Sequence, residues 1–372
     1  MLIGRSIMKA LIFGGTGAIG TPLVKMLAGK GYQVYVTTRS DRISKNQNIK
    51  YLKGNAHDFY FIQELLKDNR YDIIVDFMIY RTEEFNQRIM LLLTSTTHYI
   101  FLSSSRVYAN STSVITEESP RLLDICKDQE YLKTDEYALA KARQEDILFT
   151  SEYKNWTILR PYITYNAERL QLATLEKDIW LKRALQGMSI PLPKDVAMHR
   201  TTLTFGDDVA KAIICLIGNS NAMHEAIHLT GDEAITWEEI LNIYSNALVR
   251  KTGKKPKIWM PKNSDFIADI MGNYYQIYYD RKFDRVFDNS KMRAICCKDF
   301  QFTPIQKGLT NCIENFIDNP SFKELDAAVI AKFDYYSRDV TALKNFTGIE
   351  QKLKYIAWRY APKIIKMVKS NC

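Results

Sequence analysis

Tyr137 and Lys141 stand four residues apart in the stretch "TDEYALAKARQEDILF". Its pattern predicts a helix, so the two side chains share one face. A phenol titrates near pH ~10, too high for a proton carrier at neutrality. Bringing it to about 7 requires about 4 kcal/mol of differential stabilisation. One close cation in a partly dry site supplies most of that. Such a tyrosine could exchange a proton with a carbinol or carbonyl oxygen, held by a serine hydroxyl from the upstream "SSSRVY". The plain alternative is a surface Tyr–Lys pair, a spacing that 22 tyrosines produce often by chance. Position raises it above chance, because the pair lies downstream of a glycine-rich loop.

That loop is "FGGTGAIG", Phe13 to Gly20, directly after the apolar run Ala10-Leu11-Ile12. Gly14, Gly17 and Gly20 satisfy G-x-x-G-x-x-G, and Gly15, Gly17 and Gly20 satisfy G-x-G-x-x-G. Either pattern alone is weak and fits a bare turn. Here a strand precedes it, a helix follows, and a second strand ends about twenty residues on, as a dinucleotide site requires. Free backbone N–H groups at the helix start would bind a pyrophosphate. The second strand ends "VYVTTRSDR", with Thr38 where an acid would bind a ribose 2′-hydroxyl, then Arg39, Ser40 and Arg42. Arginine there suits a 2′-phosphate, which favours NADP(H), with NAD(H) as the alternative. Asp41 weighs slightly against it, and a solvated loop carrying two arginines is the plain reading.

These residues need a scaffold, and the first half of the chain supplies alternating strand and helix patterns, the signature of a parallel sheet. Strands are expected at Lys9–Phe13, Gln33–Thr38, Ile49–Leu52, Asp72–Phe77, Tyr99–Ser103 and "WTILR", the last closed by Pro161. Helices are expected between them at Thr21–Lys30, Phe59–Asn69 and Glu83–Thr94. Thr134 is the expected N-cap of the Tyr137 helix, with Asp135 and Glu136 in its first turn. The expected architecture is α/β: a Rossmann-type doubly wound parallel sheet, a smaller mixed α/β substrate-binding domain and a helical C-terminal extension. Expected boundaries are 1–165 with parts of 200–235 for the dinucleotide domain, 166–320 for the second, and 321–372 for the extension.

The composition sets outer limits. The 372 residues, 46% apolar and 25% charged, are ordinary for a globular protein. No run is apolar enough to span a bilayer, and the N-terminus does not read as a signal peptide, so a cytoplasmic location is expected. Six cysteines without C-x-x-C spacing, and five scattered histidines, lead to an expectation of free thiols and no metal. A net charge of +9 favours anionic partners without choosing among nucleic acid, lipid and phosphorylated metabolites.

"GGTGAIG", "SSSRVY", "YALAK", "LRPYITY" and "TFGDDVAKAI" resemble, in order and spacing, the motifs of extended short-chain dehydrogenases/reductases, the NAD-dependent epimerase/dehydratase group. The resemblance runs from residue 9 to about 315 and includes "DNSKMRAI" and "FTPIQKGL". It implies hydride transfer on a nucleotide-activated sugar through a transient 4-keto species, in a homodimer, and a place in surface-polysaccharide synthesis. By position it makes Tyr137 the proton-transferring tyrosine, Lys141 its partner on the nicotinamide ribose, and Ser104 the catalytic hydroxyl. The implied cofactor contacts are Gly14, Thr16, Gly17, Ala18, Ile19 and Gly20, with Asn55 and Ala56 near the adenine, and Pro161. Implied substrate contacts are Ser104, Ser105, Arg106, Tyr162 and Thr164.

Departures narrow the reaction. Ser105 and Arg106 replace the Asp-Glu pair of the dehydratases, which argues against 4,6-dehydration. "DFMIYR" puts Met78 and Tyr80 where small residues are usual, so both are expected to reshape the nicotinamide pocket, and Ile163 and Thr164 stand where an Asn often contacts substrate. Arg39 leans the reading toward a 4-keto reductase that exchanges free NADPH, with an NAD-retaining C4 epimerase next. "VTTRS" and "IHLTGDEAITWEEI" also resemble a branch that includes chloroplast stem-loop RNA-binding proteins, the alternative of another class. The basic segment "KLKYIAWRYAPKIIKMVKS" would suit a membrane surface or nucleic acid, but packing on its own domain or a sister subunit is favoured. Pro362 interrupts any long helix there.

Overall fold

The computed structural model describes residues 7–296, 298–362 and 364–365. Cys297, Cys372, Lys363 and residues 366–370 of the basic segment lie outside the described residues. Contacts divide the chain into two compact units. The first holds residues up to Asn166, Thr202–Ala234 and Val286–Ile305; the second holds Ala167–Thr201, Ile235–Arg285 and the chain from Gln306 onward.

The first unit is built on a parallel seven-stranded sheet. Its elements run β1 (Lys9–Phe13), α1 (Gly20–Gly29), β2 (Gln33–Thr38), β3 (Ile49–Lys53), α2 (Phe59–Lys67), β4 (Tyr71–Asp76), α3 (Thr82–Thr94) and β5 (Thr96–Leu102). Then follow α4 (Tyr137–Phe149), β6 (Trp156–Pro161), α5 (Gly206–Leu216) and β7 (Glu225–Leu229). The spatial order is 7-6-5-4-1-2-3. Strand order therefore reverses between β1 and β4, which opens a crevice at their C-terminal ends.

The central strands are apolar throughout because both faces are covered. Successive side chains alternate across the sheet. Ala10 and Ile12 join Leu23, Val24 and Leu27 of α1 and Val209, Ile213 and Leu216 of α5. Leu11 and Phe13 join Ile62 and Leu66 of α2 and Phe85, Ile89 and Leu92 of α3 on the other face. Gly206 opens α5 because a Cβ there would meet the Ala18 carbonyl oxygen at 2.4 Å. The "TFGDDVAKAI" motif thus exists to bring α5 against the glycine loop.

Thr134 is not the cap of α4. Its hydroxyl donates to the Tyr131 carbonyl at 2.7 Å, and Asp135 turns to the Thr82 amide and hydroxyl at 2.8 and 2.6 Å. Glu136 caps instead, its carboxylate accepting from the Ala138 amide at 2.9 Å. The competing partners of Thr134 and Asp135 decided it, and they are far away in sequence or belong to the preceding turn.

The second unit is mostly helical, with Lys177–Leu185, Trp237–Thr252 and Ile305–Asp318 among its helices. It also carries α6 (Ala327–Ser337) and α7 (Gly348–Tyr360). These two pack through Ala327, Ala331, Tyr355 and Trp358. Arg183 ties Lys177–Leu185 to the end of α6 through Asp334 at 2.6 Å and Asp339 at 2.9 Å.

Candidate functional site

A cleft of about 490 Å³ opens in the first unit at the C-terminal ends of the strands, and Gly14, Thr16, Thr38, Arg39, Ser40, Asn55 and Ala56 all line it. Thr37, Arg42, Gly54, His57 and Met78 complete the lining. Gly14 adopts φ +69°, which a side chain would strain. At Gly17 an added Cβ would meet no described atom within 4 Å, so the space beside it is used by nothing in the fold. Ala18 and Ile19 carry the chain into α1, whose first turn has no side-chain cap. Open backbone at a positive helix end fits a pyrophosphate.

Charge at the other end of the cleft is sorted cleanly. Asp41 is drawn off by Lys53 at 2.6 Å, on the exposed surface. Arg39 and Arg42 line the cleft, and Asp41 does not. The stretch Asn55–His57 is held from beneath by Arg88, 1% exposed, which donates to the Ala56 carbonyl at 2.8 Å and the His57 carbonyl at 3.1 Å. Sequence reading missed this anchor. Its signal was an arginine on the apolar face that α3 builds from Phe85, Ile89 and Leu92.

The catalytic candidates come from two segments. Ser104 follows β5 and caps a short turn, its hydroxyl accepting from the Arg106 amide at 3.2 Å. Tyr137, half-buried, is the first residue of α4. Arg106 joins the segments, since its guanidinium sits 5.3 Å from the Tyr137 ring centroid and pairs with Glu136 at 2.7 Å. Lys141 lies one turn along α4, 2% exposed. Its ammonium donates to the Met78 carbonyl at 3.1 Å and lies 4.4 Å from the Phe101 ring centroid. Burial lowers its pKa to about 8, against the pull of Asp76 and Glu145.

Asp76 is the second residue that sequence reading missed. It closes β4 opposite Phe13 of β1 and Phe101 of β5. It is wholly buried and accepts from Tyr99 at 2.9 Å and the Met78 amide at 2.9 Å. Burial raises its pKa, while the Met78 amide, Lys141 and the tyrosines hold it down. The signal was an acid inside the apolar run "IIVDF".

Other expected contacts divide. Met78 lines the cleft, but Tyr80 turns into the core, 3% exposed, under the Arg88 guanidinium at 4.5 Å. Ser105 is fully buried and donates to the Arg160 carbonyl at 2.8 Å. Tyr162 packs 5.0 Å from the Phe287 ring, Thr164 pairs with Thr204, and Pro161 ends β6; all three are buried. The turn after β6 passes through Ile163 at φ +33°, which sends its neighbours inward. Among the described residues no group of three or more His, Cys, Asp or Glu side chains could hold a metal ion.

The model of the NAD dependent epimerase/dehydratase family matches residues 10–229. The chain is 27% identical over 277 residues to the chloroplast stem-loop binding protein of 41 kDa b from Arabidopsis thaliana, covering 69% of this chain and 68% of that protein. The structure of UDP-glucuronic acid 4-epimerase from Bacillus cereus, in complex with UDP-glucuronic acid and NAD, superposes with a TM-score of 0.65 at 16% identity. That match covers 84% of this chain and 100% of the other. dTDP-glucose 4,6-dehydratase from Bacillus anthracis, in complex with NAD, gives 0.64 at 17% identity, over 84% and 97%. At such identities the structural likeness shows the fold.

Proposed function

This chain belongs to the NAD dependent epimerase/dehydratase family, and on that premise we propose that it is a nucleotide-sugar oxidoreductase acting at the sugar C4 as a 4-keto reductase. The observation that carries the reading is a buried ammonium, Lys141, one helical turn behind a half-buried tyrosine whose ring carries a second cation, Arg106. A nicotinamide dinucleotide, when bound, supplies the hydride chemistry. Gly14, Thr16, Gly17, Ala18, Ile19 and Gly20 would hold its pyrophosphate, and Asn55 and Ala56 its adenine end. Arg39, Ser40 and Arg42 would hold a 2′-phosphate, which favours NADP(H). The withdrawal of Asp41 to Lys53 supports this, because the nearest carboxylate no longer repels that phosphate.

Tyr137 gives its phenolic proton to the C4 oxygen as the carbonyl becomes a carbinol, and Ser104 donates a hydrogen bond to the same oxygen. Lys141 and Arg106 stabilise the phenolate left behind. An NAD-retaining C4 epimerase uses the same residues in both directions. The likeness to the chloroplast stem-loop binding protein and the net charge of +9 favour one reading of another class, RNA binding on this fold.

The test is turnover of 4-keto nucleotide sugars with NADPH, followed by its absorbance. Tyr137→Phe is expected to cost about 10²- to 10⁴-fold in kcat with NADPH affinity retained. Arg39→Ala is expected to weaken NADPH about ten-fold or more while leaving NADH unchanged. Stem-loop RNA binding with no dinucleotide binding and no turnover would overturn the enzyme reading.

A further inference from the structure

Helix α7 has two apolar faces, and only one is used. Tyr355 and Trp358 turn toward α6 and are 1% and 8% exposed. On the other side Ile349, Leu353, Ile356 and Tyr360 recur at helical spacing, 76%, 60%, 40% and 63% exposed. Ile364 extends the line past Pro362 at 62%. Large aliphatic side chains aligned in this way are costly to leave in water. Lys352 and Arg359 share one edge of this stripe at i, i+7 spacing. Arg359 donates its Nε–H to the Asp339 carbonyl at 2.9 Å and lies 5.2 Å from the Tyr360 ring centroid, and Lys354 is paired with Asp326. From Gly348 to the C-terminus the sequence holds one acid, Glu350, against six bases, Lys352, Lys354, Arg359, Lys363, Lys366 and Lys369.

We infer that the outer face of α7 docks on an anionic lipid surface, lying in the plane of the interface. Its aliphatic stripe enters the headgroup boundary while Lys352 and Arg359 meet lipid phosphates. Among the described residues no helix is long and apolar enough to cross a membrane, so this contact is peripheral. A second copy of the chain fits the face less well. In an antiparallel two-fold pair the same patch meets itself with the basic edges side by side. Single-stranded RNA also fits less well, since the stripe is aliphatic apart from Tyr360 and offers bases few rings to stack on.

The experiment is co-sedimentation of the full-length protein with phosphatidylcholine vesicles, with and without phosphatidylglycerol, beside light scattering of the protein alone. Binding is expected only to the mixed vesicles and is expected to weaken as salt rises. The double substitution Leu353→Glu, Ile356→Glu should lower it by more than about ten-fold, and Lys352→Ala by about five-fold. Both positions of the double variant are solvent-facing, so its thermal melt should match the wild type. Absence of binding to the mixed vesicles overturns the proposal, as does a double variant that binds like the wild type. A wild-type dimer that the double variant converts to monomer, with no lipid binding by either, assigns the face to a second copy instead.

Discussion

Two cations are buried on α4 and β6, and the fold treats them in opposite ways. Arg160 is 2% exposed and fully matched. Its guanidinium forks onto Glu145 at 2.9 and 2.7 Å and reaches the Tyr108 hydroxyl at 2.5 Å. Ser103 donates to the same carboxylate at 2.5 Å, and Tyr108 passes the network to His228 at 2.7 Å. Glu145 and Tyr108 hold Arg160 protonated against the cost of burial, pushing its pKa up. Lys141, equally buried, has a carbonyl, a ring face and no carboxylate within ion-pair distance among the described contacts. Burial wins there and the pKa falls to about 8. A matched buried charge is a structural part. An undermatched one keeps its field, which fits the role proposed above for Lys141.

The largest effect is expected where the match is broken. Glu145→Ala strands the Arg160 charge in the core and should cost about 3–5 kcal/mol, read as a large fall in thermal midpoint. Next, Lys141→Met should abolish turnover by at least about 10²-fold while shifting that midpoint far less than Glu145→Ala does. A loss of stability as large as that of Glu145→Ala would make Lys141 structural after all. The sign follows from linkage. With a native pKa of about 8, below its ordinary 10.5, the protonated lysine destabilises the fold at neutral pH. That penalty is present below pH 8 and is relieved as pH rises from there toward 10.5.

A smaller effect sharpens the contrast. Asp76 and Glu145 are the acids that sustain the Lys141 charge, Tyr80 and Tyr99 share Asp76, and Arg88 faces the same tyrosines. Asp76→Asn removes one carboxylate charge and should lower the Lys141 pKa further. The alkaline limb of kcat/KM is then expected to move to lower pH by up to about one unit. An unmoved profile would show that Asp76 acts on β4 alone.

Much of the lining of the candidate cleft was legible without coordinates. The glycine loop, the arginines after β2 and the Tyr137–Lys141 pair are local patterns, with chemistry carried by neighbours three to twenty residues apart. What escaped was of one kind. Asp76, Arg88 and Glu145 each stand as a lone charge in an apolar run or on an apolar helix face, and a lone charge does not reveal its partner. Thr134 misled for the same reason, because Tyr131 and Thr82 claimed the groups that would have capped α4. The resemblance implies Ser105 and Tyr162 as substrate contacts, and the structure buries both, Ser105 on the Arg160 carbonyl and Tyr162 against Phe287.

Side-chain periodicity and glycine placement determined the parallel sheet's strands and the glycine turn that leads into α1, since each rests on short-range backbone geometry. Only tertiary structure decided strand order and which buried cation is paired with a carboxylate and which is not. It also decided that one face of α7 is packed and the other exposed. These outcomes depend on which groups distant segments bring within a few ångströms, where burial and pairing oppose each other by several kcal/mol.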